Sequence, residues 1–336
     1  MKICCYSYSS PFLNQRRVGI ITDENTLVDP ALCFELDYQR EGYANAKERA
    51  EYKCPASLSK ILKTSDNALE TLTEGYALYL FFQKVGINEL DDGTPISFDL
   101  NREKNIRFHA PLDRISTYRD FYAHEKHVKK GFEKRNEAVP EAWYEIPAYY
   151  KGAVEGFIGP DDEVLWPSYT EVLDYELELA IVIGKDGKNI KEEDALDHIF
   201  GYTILNDISA RDIQKKEMSV RLGPAKGKDF CSVIGPVIVT ADEFEGKEPN
   251  LNMKARINGE LWSEGMSGDS HYSWAQMIAH ASNEEFIVAG DLLGSGTVGT
   301  GCGLELDKWI QPDDVIELEV EKIGILKNKI GNKKQR

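Results

Sequence analysis

Positive charge is scarce in this chain. Its 336 residues carry 40 Lys and Arg against 57 Asp and Glu, a formal net charge of -17. That balance argues against nucleic acid and anionic membranes as partners, since both need basic surface. It also disfavours long-range steering of an anionic substrate, which would need local Lys, Arg or a metal ion at its site. Long apolar runs are lacking too. The longest, Ala77 to Phe82, is far too short to span a bilayer. The start, Met1-Lys-Ile-Cys-Cys-Tyr-Ser7, has no apolar signal-peptide segment. The six cysteines, at 4, 5, 33, 54, 231 and 302, form no CxxC pair and no zinc-ribbon spacing. The expectation is a reduced, cytoplasmic, soluble protein with free thiols and no membrane segment.

What is present is enough for a sizeable core: 42% of residues are hydrophobic. The length predicts about two domains. Residues 1–111 read as an accessory domain. In it Arg17-Val-Gly-Ile-Ile21 and Thr26-Leu-Val-Asp29 flank a turn, as in a hairpin, and a helix is predicted from about Asp66 to Lys84. From about 112 the pattern changes to short strands punctuated by Gly and Pro, at 153–158, 173–183, 199–206, 232–240, 251–258, 286–298 and 314–323. Helices are predicted near 120–132, 208–219 and 273–282. Residues 112–326 therefore read as a mainly β catalytic domain with α+β elements, a barrel or roll rather than βαβ units. The basic stretch 327–336 reads as a frayed tail.

Four carboxylates fall where patterning predicts a core: Asp120, Glu176, Glu178 and Asp207. The segment Leu173-Asp-Tyr-Glu-Leu-Glu-Leu-Ala-Ile-Val-Ile183 alternates and then turns apolar, as a central strand does. A period of two puts Asp174, Glu176 and Glu178 on one face. Like charges along a buried face repel and pay desolvation, and the usual remedy is a cation. All-oxygen ligands select a hard one, Mg2+, Ca2+ or Mn2+. The competing reading is an edge strand with its charges in water.

Two motifs invite nucleotide readings and lack the context for them. Gly294-Ser-Gly-Thr-Val-Gly299 is a literal GxGxxG, but strand-like Leu304-Glu-Leu306 follows where a helix should start. A tight turn approaching a ligand or metal fits better. Gly223-Pro-Ala-Lys-Gly-Lys228-Asp229 is one residue short of a P-loop and lacks its Ser/Thr. Lys228 remains a positive charge in a constrained loop. Thr117-Tyr-Arg-Asp120-Phe-Tyr-Ala-His124-Glu-Lys-His127 starts a helical stretch; if helical, Asp120, His124 and His127 share a face. A zinc site from His124 and His127 is open, though the spacing is not HExxH. Asp207 ends a strand and could be a helix cap. Arg211 and Gln214 lie one turn apart beyond it, on a face that is either solvated or turned to a ligand.

Together these segments resemble one family, the fumarylacetoacetate hydrolases. The resemblance rests on Asp120-Phe-Tyr…His127, Leu173-Asp-Tyr-Glu-Leu-Glu178, Asn206-Asp-Ile-Ser-Ala-Arg-Asp-Ile-Gln214, Leu222-Gly-Pro-Ala-Lys-Gly-Lys-Asp-Phe230 and Gly294-Ser-Gly-Thr297 with Glu305. It spans roughly residues 112–325, and the N-terminal block matches only loosely. The resemblance implies a mixed β-roll, a homodimer, and one Mg2+ (or Ca2+ or Mn2+) held by Asp120, Glu176, Glu178 and Asp207. It implies a diketo or 2-oxo acid substrate chelated by that ion. His127 would activate water, oriented by Glu305, while Arg211, Gln214 and Lys228 stabilise an oxyanion. Tyr122, Tyr150 and Thr297 would line the substrate pocket. Met218 stands where the animal enzyme has a substrate-holding tyrosine, and cannot donate a hydrogen bond. An expected arginine aligns only roughly at Arg135, with Arg221 as a substitute, so an acylpyruvate or related diketo acid fits better than fumarylacetoacetate itself.

The first functional expectation is a metal-dependent hydrolase that cleaves a C–C bond, as in aromatic amino acid catabolism. The alternative is a hydratase, isomerase, decarboxylase or sugar-acid dehydratase working through the same metal enolate. The His127–Glu305 pair tips the sequence reading towards hydrolysis, because fold and metal alone do not fix the reaction. A metal-stabilised binding protein without turnover would leave His127, Arg211 and Lys228 unexplained.

Overall fold

The computed structural model describes residues 1–9, 15–65 and 67–333. Its centre is a 12-stranded sheet. Ten of the strands form its path: β1 (Lys2–Tyr8), β2 (Arg17–Ile21), β3 (Thr26–Val28), β4 (Ser97–Asp99), β5 (Tyr118–Phe121), β6 (Tyr149–Gly152), β7 (Leu177–Ile183), β8 (Ile199–Asn206), β9 (Ser232–Thr240) and β10 (Leu292–Gly294). Their order is β4-β3-β2-β1-β9-β8-β7-β10-β5-β6. Neighbours along this path are antiparallel except β10 and β5, which run parallel. β1 pairs with β9, so one sheet runs through the N-terminal block and the later strands. A second, five-stranded sheet includes Asn252–Ile257, Glu260–Met266, Val315–Val320 and Gly324–Ile330.

The strongest strands are those with no polar alternative. β7, β8 and most of β9 are buried residue after residue, as expected of strands covered on both faces. In the N-terminal block, α1 (Pro30–Arg40) starts with proline at its first turn, and the Asp29 side chain accepts from Leu32 N. Asp29 is fully buried and also takes hydrogen bonds from Tyr6 Oη at 2.7 Å and Arg17 Nε at 2.5 Å. The long helix α2 (Ala68–Val85) is capped by Asn67 and ends at Gly86 with φ +73. Asp66, where sequence placed its start, lies outside the described residues. Among the described residues no helix is long and apolar enough to cross a membrane.

Three departures from the sequence reading bear on the site. The expected helix from 120 is a strand followed by a shorter helix: β5 ends at Phe121 and α3 runs Glu125–Glu133. Asp120 therefore does not share a helical face with His124 and His127. Its strand state comes from tertiary pairing with β10 and β6, which overrides local propensity. The expected strand 173–183 is broken: Leu173–Asp174 pairs elsewhere, and β7 begins at Leu177. Leu304-Glu-Leu306 is a helical turn, Gly303–Leu306, rather than strand. The basic tail does not fray from Lys327, since residues 327–330 lie in a strand of the second sheet, between Val315–Val320 and Glu163–Val164; residues 334–336 lie outside the described residues.

Candidate functional site

Asp120 on β5, Glu178 on β7, Glu176 just before it and Asp207 just after β8 converge on one buried cluster. They offer one oxygen each within 4.8 Å of one another. All four are buried, Glu178 and Asp207 completely. The solvated edge-strand reading is thereby excluded.

The strand between them makes the room. Gly294 on β10 pairs with Ala180 on one side and Asp120 on the other. A Cβ at Gly294 would lie 2.4 Å from Asp120 Oδ1 and 3.0 Å from Glu178 Oε2. The Gly-rich run continues as a turn: Gly296 has φ +78 and its N–H donates to Asp120 Oδ1 at 3.2 Å. Thr297 Oγ1 donates to Glu178 Oε1 at 3.2 Å. The literal GxGxxG is thus a backbone cradle around carboxylates, as its turn reading anticipates. Gly294→Ala is expected to crowd this cradle and weaken Mg2+ binding by at least about tenfold, because a tightly packed site relaxes poorly around an added methyl. Titration calorimetry with Mg2+ checks it; unchanged affinity would show that the cradle yields.

Two cations contact the cluster, Lys228 and Arg211. Lys228 Nζ lies 2.5 Å from both Glu176 Oε2 and Asp207 Oδ2. Arg211 bonds Glu176 Oε1 at 2.8 Å through one terminal nitrogen and Asp174 Oδ2 at 2.8 Å through Nε. The consequences for protonation split the cluster. Burial would raise Glu176, but Lys228 and Arg211 outweigh it and hold the carboxyl at about 2. Asp120 and Glu178 are pushed well above the ordinary range, by burial first and then by neighbouring carboxylates. Burial opposes the charge on Lys228, yet Asp207 and Glu176 keep it protonated.

The cluster fits a hard divalent ion. Glu178 Oε2 is buried with no hydrogen-bond partner, which is costly unless something takes up its charge. An all-carboxylate donor set is the chemistry of Mg2+, Mn2+ or Ca2+.

The remaining residues divide. His127, on the first turn of α3, places Nδ1 3.0 Å from Glu305 Oε2. The contact is close, but the ring nitrogen has no aligned hydrogen bond. Burial would raise Glu305; the His127 imidazole and the Thr300 N–H outweigh it and hold the carboxyl below its usual range. Tyr122 packs edge-on against the His127 ring at 5.3 Å. Tyr150, expected to line the pocket, donates to Asp207 Oδ2 at 2.7 Å. Gln214 turns its amide oxygen to Arg211 at 3.0 Å, which leaves its NH2 for a ligand. Arg135 pairs with Glu137 on the surface, while Met218 is half-exposed and Arg221 is exposed. His124 occupies the N-cap position of α3 without a capping hydrogen bond and joins neither candidate metal group; both its ring nitrogens are buried without partners. Burial and His127 push His124 down to about 4.

Sequence reading underused three residues. Asp174 belongs to the same alternating triple as Glu176 and Glu178, but it accepts from Arg211 and from the N–H groups of Gly303 and Leu304. It thereby ties Arg211 to the turn that presents Glu305. Glu217, which has the look of a solvated helix residue beside Lys215 and Lys216, accepts from the N–H groups of Ala225, Lys226 and Gly227. The P-loop-like amides are occupied by the chain's own carboxylate. Cys302, read only as a free thiol, is buried with Sγ 3.5 Å from Glu305 Oε2.

Known proteins place this arrangement. The chain is 42% identical over 235 residues to oxaloacetate tautomerase YisK of Bacillus subtilis, covering 67% of this chain and 73% of that protein. It is 33% identical over 198 residues to the mitochondrial oxaloacetate tautomerase fahd2 of Xenopus laevis, covering 59% of this chain and 60% of the relative. The fold superposes with a TM-score of 0.70 on the fumarylacetoacetate hydrolase of Exiguobacterium antarcticum, at 24% identity, over 98% of this chain and 99% of that one. The family described as fumarylacetoacetate (FAA) hydrolase C-terminal matches residues 116–331, the stretch that contains the carboxylate cluster, Lys228 and the His127–Glu305 pair. The chain belongs to the fumarylacetoacetate hydrolase family.

Proposed function

We propose that this protein is a metal-dependent tautomerase that interconverts the keto and enol forms of a short 2-oxo diacid of the oxaloacetate type. The observation that carries the reading is the 42% identity to a tautomerase over 235 residues. The second relative is named for the same activity. They favour the isomerase alternative over C–C hydrolysis, and the site geometry is compatible with both. A His–Glu pair can activate water, but it can equally move a proton at carbon without breaking a C–C bond.

Asp120, Glu176, Glu178 and Asp207 would hold the cation. When bound, it supplies Lewis acidity to the 2-oxo group and so acidifies the adjacent C–H. Lys228 Nζ, kept protonated between Glu176 and Asp207, faces negative charge that develops beside the cluster. The Gln214 NH2 would bind a substrate oxygen. Glu305, 3.0 Å from Nδ1, would orient the His127 ring once the pair aligns, leaving Nε2 to take the carbon-bound proton and return it.

His127→Ala is expected to lower turnover by at least about 100-fold, the usual scale for a lost acid–base group, while Mg2+ affinity stays unchanged. Turnover by stopped flow and Mg2+ binding by calorimetry check it. Loss of Mg2+ affinity together with activity would make His127 a ligand and sink its proton-transfer role.

A further inference from the structure

We propose that His127, Cys302 and Glu305 form a zinc site, chemically distinct from the all-carboxylate cluster, whose occupation switches off the acid–base pair. An imidazole nitrogen, a thiol sulfur and a carboxylate oxygen from these residues lie within 4.8 Å of one another, and all three are buried. This mixed N, S, O set is the chemistry of zinc, whereas hard ions avoid sulfur. The separations also suit it. With Zn–S about 2.3 Å and Zn–O and Zn–N about 2.1 Å, a tetrahedral ion holds S and O about 3.6 Å apart and N and O about 3.4 Å apart. The structure has 3.5 Å between Cys302 Sγ and Glu305 Oε2 and 3.0 Å between His127 Nδ1 and the same oxygen. A shift of a few tenths of an ångström admits the ion.

Two further observations point to a ligand. His127 Nδ1 is buried without an aligned hydrogen bond, so coordination would satisfy a nitrogen that is now poorly served. A cavity of about 280 Å³, lined by Asp269, Glu264 and Thr300 among others, reaches Glu305, one of the three residues. Of its acids, Asp269 pairs with Lys126 and Glu264 with Lys254, and Lys130 also lines its wall.

Binding converts the Cys302 S–H to S–Zn and releases one proton to solvent. It also fixes the imidazole through Nδ1, so that Nε2 carries the ring proton and cannot accept one. The switch rests on the proton-transfer role proposed for His127; the site itself does not.

Co2+ is the probe, added to the full-length protein saturated with Mg2+. A cobalt ion in the carboxylate cluster has no sulfur ligand, so a near-ultraviolet thiolate-to-cobalt band reports this site alone. The expected result is such a band at one equivalent, its displacement by Zn2+, and its loss in Cys302→Ser. Calorimetry of Zn2+ with the unmodified protein in two buffers of different ionisation enthalpy should show one proton released, which keeps the test decisive even if Cys302→Ser does not fold. No sulfur band, or a band that survives Cys302→Ser, would overturn the site. For the switch, Zn2+ at saturating Mg2+ should suppress turnover, and Cys302→Ser should need at least tenfold more Zn2+ for half-inhibition. A normal band with turnover unaffected would overturn the switch and the role of His127 while leaving the site standing.

Discussion

Glu178→Ala is expected to weaken Mg2+ binding by more than about 100-fold and to abolish metal-dependent turnover without unfolding the protein. Changes to groups that merely support a metal ligand already cost about 10–100-fold in affinity, and Glu178 supplies an oxygen to the cluster itself. The variant also has a signature that simple damage would not produce. Glu178 is fully buried beside Asp120, and its carboxyl is pushed well above its ordinary range by burial and by its neighbours. Ionised and without a cation, it opposes folding. The metal-free variant should therefore melt no lower than the metal-free wild type, while Mg2+ raises the melting temperature of the wild type alone. Retained Mg2+ affinity would remove Glu178 from the ligand set.

The same charges give the effect a pH dependence. Asp120 and Glu178 have raised carboxyls in the folded state, so their contribution favours folding at low pH and is lost as pH rises through the folded values. Glu176 behaves oppositely: with its carboxyl at about 2, its contribution is present above the unfolded value and disappears as pH falls towards 2. A cation competes with the protons on Asp120 and Glu178. The Mg2+-induced rise in melting temperature should therefore shrink as the pH is lowered. Scanning calorimetry over a series of pH values checks it; a rise that grew on acidification would contradict the assignment.

Lys228→Met is expected to destabilise the metal-free protein by roughly 3–5 kcal/mol, the scale for removing one partner of a buried ion pair. Lys228 Nζ bridges Glu176 and Asp207, and both carboxylates would be left facing each other in a buried site. Mg2+ should offset more of this loss in the variant than it adds to the wild type, because the ion takes over part of the neutralisation. Turnover should stay low even at saturating Mg2+, since no protonated amine then faces the developing negative charge. Denaturant unfolding with and without Mg2+, alongside turnover, separates these effects. A variant as stable as wild type without metal would mean that the bridge contributes little.

How far the sequence carried this picture depends on the kind of signal. Strands β8 and β9 run within the ends predicted for them, 199–206 and 232–240, because continuous apolar runs between turn residues have few alternatives. The four carboxylates stood out as charge in a core pattern, and the fold brings them together. Other features depended on partners distant in sequence. Asp120 was assigned to a helix because its local sequence is helix-compatible; pairing with Gly294, far along the chain, makes it strand. A period of two puts Asp174 on the Glu176 and Glu178 face, yet the break before β7 turns it to Arg211. Glu217 looks solvated in sequence because nothing local indicates that three loop amides fold back onto it. The choice between hydrolysis and tautomerisation was least legible of all, since both use the same carboxylates and the same histidine.

Ultraviolet absorbance of enol-oxaloacetate, with product analysis, in chelator-treated protein before and after Mg2+ is restored decides between tautomerisation and cleavage. A tautomerase shows Mg2+-dependent acceleration of the approach to keto–enol equilibrium beyond the protein-free rate, with no pyruvate beyond that formed in protein-free controls. No acceleration of tautomerisation, together with Mg2+-dependent cleavage of an acylpyruvate to pyruvate and a second acid, would contradict the tautomerase reading and return the protein to C–C hydrolysis.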